Sequence, residues 1–519
     1  MRRRLPLTAL LEPAALAPLR LAASLHKTAV YLVGGAPRDL FLGRPLADLD
    51  LACVGAQALA RRLASALKGA FVVLDDATKV YRIALPSSFG ALRQVDVAEL
   101  QGPDIAADLA RRDFTINALA LRLSKDLPAA LPAKALLDPR GGLRDLAARR
   151  LRCEDEKIVK DDPLRLLRAF RIAAQLDFSI DPATLELLGR LRHRVRAPAG
   201  ERIHAELMML LAAPGASRWL RLMDQARILT ALFEDLEPAR QCAEEYYGPG
   251  GVLEHSLATC ERADFLLNHL GRVVPEEAKS IEEHFQNCAQ SGLALKPLVM
   301  LSALLHDISK AETAKRLEGR LRFFGHDTLG AKRAGEILKR LRFSGEQMEV
   351  VSAVISQHLR PGHLASGGVV TPRAVYRFFR DLGPQALPLL LVCWADHASY
   401  LPAARVTKVL KTASLEPGQG NAALARLRPQ EARKTVYHLQ VIALLLRRLF
   451  DRDRKPVPDR LLDGNDVMKA LRLKPGPVIG EWLERLREAQ AEGRIATRQE
   501  ALALLKKEAA GRDPLTQDK

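Results

Sequence analysis

The 519-residue sequence predicts an α+β, mainly helical protein: a small N-terminal α/β head, a helical neck, a helical middle domain and a helical, basic C-terminal domain. Three observations predict it. Strand-like apolar segments at 29–35, 49–54, 71–74, 80–84 and 94–98 alternate with helical stretches, and this alternation stops near residue 145. From about residue 148 the periodicity is helical almost throughout, as in PLRLLRAFRIAAQL and ERIHAELMMLLAA. Two breaks, EYYGPGG at 245–251 and SLEPGQGNAALARLRPQ at 414–430, then divide the helical part. The expected domains are 1–147, 148–240, 241–413 and 414–519, with a frayed polar tail after Lys507.

Composition bounds the function. Apolar residues at 48% and charged residues at 27% suit a soluble globular chain and exclude wholesale disorder. Aromatics are only 5%, so the cores are expected to be aliphatic. No run approaches twenty uninterrupted apolar residues, which excludes a transmembrane span. The formal charge of +18 suits a polyanionic partner. Six cysteines lie far apart with no CxxC pair, which argues against a zinc ribbon or a disulfide framework and for a reducing, cytoplasmic setting. The opening MRRRLPLTALLEPAALAPLRLAASL reads as an amphipathic leader, because Glu12 and Arg20 interrupt its apolar run. No membrane and no obligate protein partner is expected.

The strand AVYLVGG at 29–35 ends in Gly34-Gly35, followed by Arg38, Asp39 and then Asp48-Leu49-Asp50. Two glycines leave backbone N–H groups open to a phosphate, and Arg38 adds a charged fork. On a strand, residues i and i+2 share a face, so Asp48 and Asp50 can hold the same hard cations. Asp96, in QVDVAE, supplies a third carboxylate from a neighbouring strand. These are the parts of a two-Mg²⁺ nucleotidyl-transfer site.

GGAPRDLFLG…DLD, DLARRDFTINALAL at 108–121 and DDPLRLLRAFRIAAQLDF at 161–178 together resemble the class II tRNA nucleotidyltransferase and bacterial poly(A) polymerase superfamily. The C-terminal LLDGNDVMKALRLKPGPVIGEWLERLREAQAEGRIATRQEAL resembles that family's RNA-binding tail. The resemblance implies Gly35 and Arg38 on the triphosphate and Mg²⁺ on Asp48 and Asp50. It implies Arg112 and Asp113 facing the incoming sugar and phosphates, and Asp162 with Arg165 imitating a Watson–Crick partner for C or A. Arg165, Arg168 and Arg171 share roughly one helical face, and Glu201-Arg202 to Glu206 matches a bracing element. Only fourteen residues separate Asp96 from Arg111, where many complete CCA-adding relatives carry a longer flexible loop. That shortening resembles the partial enzymes that add only CC or only A, and it equally suits a lineage that switches by other means, so addition of CCA, of CC or of A stays open.

His255, His306-Asp307, His326, His358 and Asp396 resemble an HD domain, in which His, His-Asp and Asp gather one divalent metal: Mn, Ni, Fe or Mg. His326 and His358 would permit a second. The resemblance implies phosphatase or 2′,3′-cyclic phosphodiesterase chemistry on damaged RNA ends. Lys310, three residues after Asp307, either pairs with phosphate or covers a helix end. Arg447, Arg448, Arg452, Arg454 and Lys455, then Arg485, Arg487, Arg494 and Arg498, are expected to contact an RNA backbone.

The leading expectation is attack of a tRNA 3′-hydroxyl on the α-phosphate of CTP or ATP. Three alternatives use the same residues: a poly(A) polymerase, an HD phosphohydrolase with an RNA-binding head, and an RNA-binding module with a relic active site.

Overall fold

The computed structural model describes residues 8–367, 369–419, 430–451, 453 and 455–510. The start of the leader, most of the break at 414–430, Arg452, Arg454 and the end of the tail lie outside the described residues. The chain divides into two compact units: residues up to 206 with 223–232, and residues 207–222 with those from 233 onward. This division falls ahead of the break at 245–251.

In the first unit a seven-stranded sheet runs Ala70–Asp75, Val80–Ala84, Gln94–Glu99, Asp48–Cys53, Val30–Val33, Ala120–Arg122, Leu136–Leu137. Only Asp48–Cys53 and Gln94–Glu99 are parallel neighbours. Their crossover holds the helix Ala56–Leu67 and the hairpin of the first two strands. Leu59, Ala60 and Leu63 form the buried stripe of that helix, which packs on Val80–Ala84 and Gln94–Glu99. Side chains alternate across each strand. Leu49, Leu51, Val95 and Val97 are buried, and the same alternation turns Asp50 and Asp96 to the opposite face. Parallel register sets Asp50 beside Asp96, and the antiparallel partner strand sets Arg82 on the other side of Asp96.

All five expected head strands form. The sheet also gains Ala120–Arg122 and Leu136–Leu137, and further short strands pair Arg150–Leu151 with Ser179–Ile180 and Lys315–Leu317 with Arg320–Arg322. The region after 148 is therefore not wholly helical. Strands of two or three residues are too short to carry a period-two signal.

Helices Arg165–Leu176 and Gly200–Ala212 supply the neck residues used below. In the second unit, Ala386–Ser399 packs against Gly251–Asn268, Leu295–Leu305 and Gln430–Leu449. Leu295–Leu305 is buried on all sides, as expected for a central helix. Helices Gly464–Leu471, Pro477–Ala491 and Arg498–Ala510 close around Val467, Trp482, Leu486 and Leu505. No single helix among the described residues is long and apolar enough to cross a membrane.

Candidate active site and metal centre

The strand Val30–Val33 delivers Gly34 at φ +74°, where a Cβ would stand 2.6 Å from Asp50 Oδ2. Only glycine allows the turn to lie this close to the carboxylate. Asp50 is half-buried, and burial, then the charge of Asp96, lifts its pKa to about 6 against the pull of Arg112. Asp48 is raised for the same two reasons, burial first. Asp96 is not a free third carboxylate. Both its oxygens accept from Arg82, through Nε and Nη2 at 2.8 Å each.

A cavity of 290 Å³ opens beside these strands. Gly34, Gly35 and Asp50 form one wall, and Arg112, Asp113, Asn117, Asp162, Arg165, Arg168 and Arg202 the others. Arg112 is steadied by Asp108, whose Oδ2 accepts from it at 2.9 and 3.1 Å. Asp113 is buried. Burial alone would raise its pKa, but the Arg168 charge and hydrogen bonds from Asn117 and Arg168 bring it below the usual carboxylate value. Arg168 donates twice to Asp113 Oδ2 and once to Glu206, so it holds the cavity wall instead of offering a free charge. Arg165 donates to the Ile158 carbonyl at 2.9 Å. Asp162 Oδ1 accepts from the Leu164 N–H, and its Oδ2 from Arg202 at 2.9 Å.

Two expected nucleotide ligands stand outside the cavity lining. Arg38 spends its guanidinium on Asp39 and on Asn117 Oδ1. Arg171 donates to Glu206 and Gln175, because Glu206 is buried and draws in both arginines of that helix face. Sequence reasoning missed Arg82, Asp108 and Asn117, and gave Arg202 only a bracing role. Asn117 lay within RRDFTINA and could have been found there, whereas Arg82 depends on strand register.

The second unit gathers six further residues from five helical segments. His255 Nε2 lies 3.1 Å from Asp396 Oδ1, and His306 Nε2 lies 3.1 Å from Asp307 Oδ2. On the other carboxylate oxygen, Asp307 Oδ1 is 3.4 Å from His326 Nε2 and 3.6 Å from His358 Nε2. Two candidate ligand sets result: His255, His306, Asp396, and Asp307, His326, His358. The Nδ1 atoms of His306, His326 and His358 sit 2.8, 2.7 and 2.7 Å from the carbonyls of Ala303, Phe323 and Ile355. A carbonyl only accepts, so each Nδ1 carries a proton, and in the neutral ring each Nε2 then presents a lone pair. His255 Nε2, His306 Nε2, Asp307 Oδ1 and Asp396 Oδ1 are buried without a hydrogen-bond partner. Orphaned donor atoms of this chemistry fit a divalent cation. Lys310 Nζ lies 2.6 Å from Asp307 Oδ2 and 2.8 Å from the Tyr247 hydroxyl.

The C-terminal cations are mostly paired: Arg447 with Glu416, Arg448 with Asp451, Lys455 with Asp459, Arg485 with Glu508, Arg494 with Glu492 and Arg498 with Asp466. These six side chains lie in surface ion pairs, each worth little to stability.

Strand-borne carboxylates beside a glycine turn and a cationic cavity define a nucleotidyltransferase head, here carried with an HD-type centre. Residues 30–152 match the Poly A polymerase head domain family, 177–240 the polymerase A RNA and SrmB binding-site family, 252–401 the HD domain family and 458–505 a tRNA nucleotidyltransferase domain family. The chain is 30% identical to the CC-adding tRNA nucleotidyltransferase of Synechocystis, over 91% of this chain and 92% of that protein. It is also 30% identical to the A-adding tRNA nucleotidyltransferase of Deinococcus radiodurans, over 92% and 94%. The fold matches a Thermotoga maritima CCA-adding enzyme complexed with tRNA at a TM-score of 0.59 and 20% identity, over 96% of each chain. The chain belongs to the tRNA nucleotidyltransferase family.

Proposed function

We propose that this enzyme extends tRNA 3′ ends from CTP or ATP without a nucleic-acid template, and that it is a partial enzyme, adding one kind of nucleotide. One observation carries the second point: the segment joining Asp96 to Arg112 is short and pinned. Glu99 accepts from the Gly55 and Ala56 N–H groups, Asp104 caps the helix Ile105–Ala110, and Asp108 holds Arg112. Leu100, Ile105 and Leu109 pack into the cluster under the site strands. A cavity braced in this way has no lever with which to change from C to A. Partial enzymes of both kinds match more than nine-tenths of the chain.

Asp48 and Asp50 would hold Mg²⁺, which when bound activates the attacking hydroxyl and stabilises the departing pyrophosphate. Asp96, tied to Arg82, shapes the field around them. Arg112 keeps N–H groups for the triphosphate, and Asp113, fixed by Arg168 and Asn117, faces the ribose. Asp162 accepts from the exocyclic amine of C or A, and Arg165 donates to the adjacent ring nitrogen. A cytoplasmic setting, which holds tRNA, CTP and ATP, suits this work. The test is extension of tRNA ending at the discriminator base, at C and at CC. A partial enzyme stops at CC, or adds a single A only to the CC-ending RNA. Full CCA synthesis overturns the partial reading, and adenylate tails on every RNA make it a poly(A) polymerase.

The four orphaned donor atoms favour a second activity. His255, His306 and Asp396 would hold one divalent metal and His326 with His358 another, the Asp307 carboxylate reaching both. Such a centre suits hydrolysis of phosphate esters at RNA ends. Release of phosphate from a 3′-phosphorylated RNA, lost in His306→Ala, tests it.

A further inference from the structure

The bracing element ERIHAE does two jobs. Arg202 and Glu206 are one helical turn apart and share a face of Gly200–Ala212. Glu206 is buried and fastens Arg168 and Arg171. Arg202 instead is half-exposed, lines the nucleotide cavity and donates to Asp162 Oδ2 at 2.9 Å. The remaining oxygen of Asp162 accepts from the Leu164 N–H at 3.2 Å, so the carboxylate is held at both ends. The next side chain on that wall, Arg165, is tethered through Nη1 to Ile158 O. Asp162 and Arg165 thus present an acceptor and a donor in fixed order, and the part of the array that comes from outside the DDPLR segment is Arg202.

From this geometry we infer that Arg202 is a specificity-determining residue: it fixes the orientation of Asp162 and thereby excludes nucleotides whose pairing edge carries a carbonyl where C and A carry an amine. The inference rests on the reading of Asp162 and Arg165 as the base-reading pair. Cytosine and adenine present an amine donor beside a ring acceptor. Uracil presents the reverse, a carbonyl beside an N–H, so against a fixed carboxylate and guanidinium both of its polar groups go unmatched. Discrimination of this kind comes from polar groups left unpaired. It requires that the carboxylate cannot turn away. Without Arg202 the Asp162 carboxylate keeps only the longer bond from the Leu164 N–H, so it can turn about χ1 and leave Arg165 to donate to a uracil carbonyl. An exposed ion pair adds little to stability, so the effect on selection separates from any effect on folding.

The experiment compares kcat/KM for UTP with that for the nucleotide the wild type adds, on tRNA lacking that residue, for wild type, Arg202→Gln, Arg202→Lys and Asp162→Asn. Melting curves accompany each variant. Arg202→Gln is expected to lower the preference over UTP by ~10-fold or more, the equivalent of one lost hydrogen bond. Arg202→Lys, which keeps a donor, is expected to recover part of it. If Arg202→Gln changes all nucleotides equally, or changes nothing, while Asp162→Asn loses selection, Arg202 is structural only and the inference falls. If Asp162→Asn also keeps full selection, the base-reading pair itself is wrong.

Discussion

Replacing Asp50 by Asn removes a charge that the fold tolerates poorly, and the metal-free protein should gain stability from it. In the folded head Asp50 keeps its proton up to about pH 6, against 3.8 for an ordinary carboxylate, because burial and then Asp96 disfavour the anion. Between those values the folded state binds more protons than the unfolded chain, so stability falls as pH rises through that window and stays low above it. The rise corresponds to about 3 kcal/mol above pH 6. The three tryptophans, Trp219, Trp394 and Trp482, all lie in the second unit, so tryptophan fluorescence does not report on the head. Hydrogen exchange of the strand Asp48–Cys53 does. In EDTA at pH 8, Asp50→Asn is expected to slow exchange of that strand by ~30-fold or more, once intrinsic rates are corrected. The gap should narrow at pH 5, where the wild-type carboxyl is itself protonated in the fold. Faster exchange in Asp50→Asn at pH 8, or a gap unchanged between the two pH values, would refute the reasoning.

Two other outcomes are expected. Arg168→Gln strands buried Asp113 and Glu206, and the head should lose about 3 kcal/mol by hydrogen exchange; Arg168→Gln with Asp113→Asn should recover at least a third of it, and simple additivity would contradict the pairing. Loaded with Mn²⁺, the full chain carrying Asp48→Ala and Asp50→Ala, which removes the head site, should show the exchange-coupled paramagnetic resonance spectrum of two ions sharing Asp307. His358→Ala should give isolated ions, and an uncoupled wild-type spectrum would remove the second ligand set.

Local chemistry was legible in the sequence. Gly34, Gly35, Asp48 and Asp50 lie on two successive strands joined by the short helix Gly35–Phe41, and the pattern of strand, glycine pair and alternating carboxylates is local enough to read. The HD-type residues were legible as residue types, but not the two sides of Asp307, because those depend on where five helical segments end. Arg82 and Asp96 stand fourteen residues apart in sequence and meet through antiparallel register, which no spacing rule supplies. Asp162 and Arg202 are forty apart and meet through helix packing. The anchoring of Arg168 and Arg171 was hidden for the same reason. A shared helical face predicts that they point together, but not that buried Glu206 and Asp113 already hold them.

The central claim, nucleotide transfer to tRNA at the Asp48–Asp50 strand, is tested most directly by single-nucleotide-resolution extension of tRNA transcripts with Mg²⁺ and CTP or ATP. Wild type and Asp50→Ala would be run side by side, and tRNA binding measured for both. Extension by wild type, none by Asp50→Ala and equal binding by the two is the expected result. Extension by Asp50→Ala at the wild-type rate would contradict the account.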